Sequence, residues 1–175
     1  ENEIIRQAYL YGNIEAWGYA NGTIDITRQT FRILEDRQNL LGCIISHELA
    51  HILNYHSFNK DKELSEQMTG KPEEAKELIS AEISRKYESI ADAKSQEMMI
   101  RAGYPRDTCL QMIDLLHKTT GDGSGTQDID MHPGHSERMQ SLRKYLDAIN
   151  PTTLKMQEKT TGTWNYNSLG NYLKE

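Results

Sequence analysis

Between Gln38 and Tyr55 the apolar residues Leu40, Leu41, Cys43, Ile44, Ile45, Leu49, Ile52 and Leu53 form a nearly continuous frame, which predicts a buried helix over about 38–55. Upstream the pattern shortens. Asn21-Gly22 is a tight-turn dipeptide, and the residues on either side predict a hairpin with short strands over about 15–19 and 23–27. Downstream, the charged stretch from Ser57 to Gly70 reads as a linker. Lys71-Pro72-Glu73-Glu74 suits a helix start, and the helix it opens runs to about Ile100 before Gly103 stops it. Along that helix Leu78, Ile79, Ile83, Ile90 and Met98 recur at helical spacing and are expected in the core. Two closing helices are predicted near about 105–119 and 134–149, the second ended by Pro151. The expected fold is α+β and mostly helical, with one domain over residues 1–150 and a polar tail over 151–175.

Inside the apolar frame stands His47-Glu48-Leu49-Ala50-His51. Residues four apart on a helix lie about 40° apart around its axis, so both imidazoles can grip one metal ion while Glu48 takes a proton from a water activated there. Burying such groups without partners costs a few kcal/mol each, and a metal supplies the partner. His56 would lie about 140° round a continuous helix from His51 and reads as polar surface or core edge. The third ligand is expected on the next helix, where Glu88 and Asp92 stand four apart beside Ala91 and Ala93. Glu88 can ligate the ion, and Asp92 can hold a liganding imidazole by its second nitrogen.

These residues resemble a known group, the gluzincin zinc metallopeptidases of the HtpX and CAAX-prenyl-protease type. The likeness rests on the segment Ile45 to Leu53 around the paired histidines, on Glu88-Ser89-Ile90-Ala91-Asp92, on Ile100 to Pro105, and on His132-Pro133 with Arg138 six residues after the histidine. The resemblance implies a zincin-like metallopeptidase domain. It implies one Zn²⁺ per chain held by His47, His51 and Glu88, with Glu48 as general base and Asp92 behind a ligand. It also implies that His132 and Arg138 approach the site and neutralise the developing oxyanion, and it suggests an envelope or membrane-associated location. The substrate class so implied is a peptide or unfolded protein, with a role in protein quality control. An alternative on the same residues is a latent or slow metallopeptidase-like protein acting as a chaperone or interaction module through its peptide groove. Glu15 stands where the family usually has asparagine.

Glycines from Gly121 to Gly125 form a loop expected to swing His132 onto the metal and off again. His135 reads as a surface or capping residue and His117 as a charge at a helix C-terminus. A net charge of −6 argues against nucleic acid as a partner. No apolar run reaches the length of a membrane span. Cys43 and Cys109 fit either two buried thiols or one disulfide. The chain begins with Glu1 rather than Met, which is expected of a processed or truncated chain.

Overall fold

The computed structural model describes residues 14–34, 36–120 and 125–149. In chain order these form β1 (Ala16–Gly18), β2 (Ile24–Ile26), α1 (Arg28–Leu34), α2 (Gln38–Leu53), α3 (His56–Met68), α4 (Glu73–Arg101), α5 (Thr108–Thr120) and α6 (His135–Ala148). The molecule is mostly helical with one small antiparallel sheet, as the sequence predicts. The expected tail over 151–175 lies outside the described residues.

The hairpin pairs Ala16 with Ile26, Trp17 with Asp25 and Gly18 with Ile24. Its turn is closed by the Gly22 N–H donating to the Tyr19 carbonyl at 2.9 Å, and Gly22 takes φ 90°, a conformation that glycine adopts without steric cost. The chain then enters α1, a helix that its polar/apolar pattern does not reveal. Thr27 caps it, accepting the Thr30 N–H on Oγ1 at 3.2 Å. The Thr30 hydroxyl in turn accepts from the Glu15 N–H at 2.8 Å and donates to the Glu15 carbonyl at 3.0 Å, which binds α1 to the foot of β1.

Helix α2 is the hub of the packing, touching α4, α5, α1, α3 and β1. Ala50 and Ala91 have no exposed surface, and side chains this small let α2 and α4 approach closely. Ser46 and Ser95 bridge the same interface, hydroxyl to hydroxyl, at 2.7 Å. The main core gathers Leu34, Leu40, Ile44, Met112, Ile113 and Leu142. A disulfide joins Cys43 of α2 to Cys109 of α5, with their Cα atoms 5.6 Å apart, and so decides between the two alternatives the cysteines allowed.

Three expectations are corrected. The stretch read as a linker is the helix α3. It buries little apart from His56, so it shows no apolar stripe, and its order comes from docking on α4. Helix α2 is not buried all round: Ile45 is 37% exposed and Leu53 60%, because its partners cover the faces that carry Cys43, Ile44 and Ala50. Of the apolar positions on α4, Ile83 is buried while Leu78 and Ile90 are exposed. Among the described residues no helix is long and apolar enough to cross a membrane.

Candidate metal centre

The helical period of α2 puts His47 and His51 on one face, with their Nε2 atoms 3.1 Å apart. From α4, Glu88 meets both: one carboxylate oxygen lies 3.4 Å from His47 Nε2 and the other 3.4 Å from His51 Nε2. These three residues each offer a donor atom within 4.8 Å of the other two. Ligands about 2.0–2.1 Å from a tetrahedral ion stand roughly 3.3 Å from one another, so the observed spacings fit a zinc-sized cation. The charges fit as well. Burial alone would push the Glu88 carboxyl up, yet contacts from His132 and His47 hold it well below the ordinary carboxylate range.

Behind each imidazole stands a different support. His47 Nδ1 is 3.0 Å from Asp92 Oδ1. Burial disfavours charge on His47, but Asp92 and Glu88 outweigh it and push its pKa up to about 10. Asp92 is itself gripped by Arg138, whose Nε and Nη2 donate to its two oxygens at 2.8 and 2.7 Å, the bidentate geometry that makes such pairs strong. Burial opposes the Asp92 charge as well, and Arg138 with His47 holds its pKa down to about 2. His51, by contrast, has His56 behind it, Nδ1 to Nδ1, at 3.0 Å. Burial and the neighbouring His47 charge hold the His51 pKa down to about 4.

Glu48 faces away from the core toward β1. An alanine Cβ at Gly18 would lie 2.9 Å from the Glu48 carbonyl oxygen and 3.2 Å from Oε2, so only glycine lets the strand come this close. The Gly18 N–H donates to the Glu48 carboxylate, and burial pushes the Glu48 pKa up from its ordinary value.

His132 reaches the site from the segment before α6, with Nδ1 3.2 Å from Glu88 Oε2 and its side chain 74% exposed. Of the loop expected to swing it, only Gly125 lies within the described residues, but the segment between that loop and His132 is tethered. Arg85 Nη1, one turn ahead of Glu88, donates to the carbonyls of Asp128 and Asp130 at 2.9 and 2.8 Å. Arg138, expected beside an oxyanion, lines the cleft and turns its Nε and Nη2 onto Asp92. His135 is neither exposed nor a cap. It is the first residue of α6 after the cap Gly134, and it stacks on His117 with ring centroids 4.3 Å apart.

The ligand cluster lines a cleft of about 450 Å³ whose other walls include Ile44, Met112, Ile113 and Leu116, with Trp17 and Gly18 of β1 at the rim. Three contributors here were not legible as such in the sequence: His56, Gly18 and Arg85. A glycine inside a strand pattern is a signal of close backbone approach, and it was available at Gly18. His56 and Arg85 gave none, since their partners lie across a helix break and across the tertiary fold. Residues 57–146 match the model of a protein family described as Peptidase family M48, a segment that begins just past His51 and contains Glu88, Asp92, His132 and Arg138. No curated protein and no solved structure matches the chain.

Proposed function

The chain belongs to peptidase family M48 and is a metallopeptidase, and from that premise we propose that it is a zinc-dependent endopeptidase acting on extended polypeptide. The observation that carries this reading is the convergence of His47, His51 and Glu88 with Glu48 held beside them by the backbone of Gly18. The first three would hold the ion, one per chain. Zinc, when bound, supplies a Lewis acid that polarises a carbonyl and acidifies water. Glu48 takes the proton from the attacking water and returns it to the departing nitrogen as the carbon–nitrogen bond breaks. His132, exposed at the mouth of the cleft, donates a hydrogen bond to the oxygen that gains charge. Arg138 serves through Asp92, whose carboxylate it fixes against His47.

Substrate preference follows from the walls. Among the described residues β1 pairs only with β2, so its other edge can take an extended peptide main chain to main chain. Trp17, 48% exposed, and the partly buried Leu116 offer an apolar surface beside the ligands, which favours an apolar side chain next to the cleaved bond. Strand addition needs a segment free of its own hydrogen bonds, and unfolded protein supplies one, which supports a role in protein quality control. The Cys43–Cys109 disulfide supports an oxidising compartment such as the cell envelope.

The test is Glu48→Gln. It is expected to keep zinc at the wild-type level while cleavage of casein falls by about 10²-fold or more, and wild-type cleavage is expected to stop with a chelator. A Glu48→Gln protein that loses its zinc, or cleaves casein as wild type does, would contradict the assignment.

A further inference from the structure

His56 is the one imidazole at the centre that the reaction above leaves without a task. Its side chain is 4% exposed, and its Nδ1 lies 3.0 Å from the Nδ1 of His51. The local backbone is arranged to put it there. On a continuous helix His56 would stand about 140° round from His51, but Asn54 ends α2 and Tyr55 takes φ 52° and ψ 39°, so the chain restarts as α3 with its first side chain folded back over His51. A left-handed conformation is disfavoured for a residue with a Cβ and persists where the surroundings over-determine it. Those surroundings include α4, whose Tyr87 ring lies 4.9 Å from the His56 ring and whose Tyr87 hydroxyl donates to Glu63 of α3 at 3.1 Å.

The direction of the His51–His56 hydrogen bond follows from the other side of the His51 ring. Nε2 of His51 faces Glu88 at 3.4 Å and His47 at 3.1 Å, the side on which a cation would sit. A neutral imidazole that offers a lone pair at Nε2 carries its hydrogen on Nδ1. That hydrogen points at His56, so His56 Nδ1 has to be the acceptor. We propose that His56 is a positioning residue, which accepts the Nδ1–H of His51 and thereby fixes the tautomer and ring orientation that present Nε2 to zinc. It does for His51 what Asp92 does for His47, with a neutral ring in place of a carboxylate. The inference rests on the zinc reading given above.

The test is zinc affinity of the full chain, measured by competition with a chromophoric chelator for wild type, His56→Leu and His56→Asn. Leucine fills the space without an acceptor. In asparagine Oδ1 stands one bond from Cγ, as Nδ1 does in histidine, and can accept the same hydrogen. His56→Leu is expected to bind zinc 10–100-fold more weakly, the range for removing a group behind a ligand, with most of the loss recovered in His56→Asn. His56→Gln, whose oxygen sits one carbon further out, is expected to behave like His56→Leu and replaces it if that variant does not fold. Wild-type affinity without the acceptor, or a loss that asparagine does not recover, overturns the proposal. A wild-type chain with no measurable zinc affinity overturns instead the reading on which the proposal rests.

Discussion

Asp92 stands behind His47 and His56 behind His51, and the two supports, both buried, differ in charge and in how the chain delivers them. The His47 side is ionic: a carboxylate from α4 is clamped by Arg138 from α6, so three elements meet in one buried charge network. The His51 side is neutral and local, delivered by a residue five positions downstream, just past a helix break. A buried charge network resists the loss of any member, because each removal strands its partner. A neutral pair loses one hydrogen bond and little else. The two halves of the centre are therefore expected to couple differently to stability while affecting the metal alike.

The largest effect is expected from Asp92→Asn. It removes the carboxylate charge that pairs with the buried Arg138 guanidinium and leaves one amide oxygen where two carboxylate oxygens served Arg138 and His47, so urea unfolding of the metal-free protein should show a loss of about 3 kcal/mol or more, together with zinc affinity lowered about 10–100-fold. Arg138→Leu comes next. It destabilises the metal-free protein, since Asp92 is left with His47 alone, but the contact on the ligand survives, so its zinc affinity should fall less than that of Asp92→Asn in the same competition assay. If the two variants lose zinc equally, Arg138 does more than fix Asp92. Gly18→Ala sharpens the contrast from outside the ligand set. The added Cβ collides with the Glu48 carbonyl and pushes β1 away from the general base, so turnover on casein should drop by roughly tenfold, a shift of about an ångström in a catalytic group being enough for that, while zinc affinity stays at the wild-type level. The smallest effect is expected at Lys86, which pairs at 2.8 Å with Glu63 and is 53% exposed. Lys86→Ala should change stability by no more than about 1 kcal/mol and zinc affinity not at all.

The ionic half was legible in the sequence and the neutral half was not, for one physical reason. His47, His51, Glu88 and Asp92 lie on two uninterrupted helices, where spacing by four residues translates directly into a shared face. Their order along the chain also matches a known pattern. His56 obeys no such rule, because a single left-handed residue, Tyr55, resets the helix direction just before it. Arg138 was legible as a neighbour of the centre but not as the partner of Asp92, since which of several nearby anions a guanidinium takes is decided by tertiary packing. The same holds for the fold. Helix α4 follows from its acidic, proline-led start and its glycine stop, whereas α3 carries almost no apolar stripe and declares itself only once it docks. Helix α1 is short, yet Thr27 three residues before Thr30 carried a capping signal. The core positions Leu78 and Ile90 had the right spacing but no neighbour to bury them.

The central claim is that His47, His51 and Glu88 hold one zinc ion. Its most direct test is metal content by plasma mass spectrometry on the purified wild-type chain and on Glu88→Ala. The account predicts about one zinc per wild-type chain, the number one such ligand set can hold, and a markedly reduced content in Glu88→Ala. Wild-type protein without zinc, or a Glu88→Ala chain that retains the full amount, would contradict it.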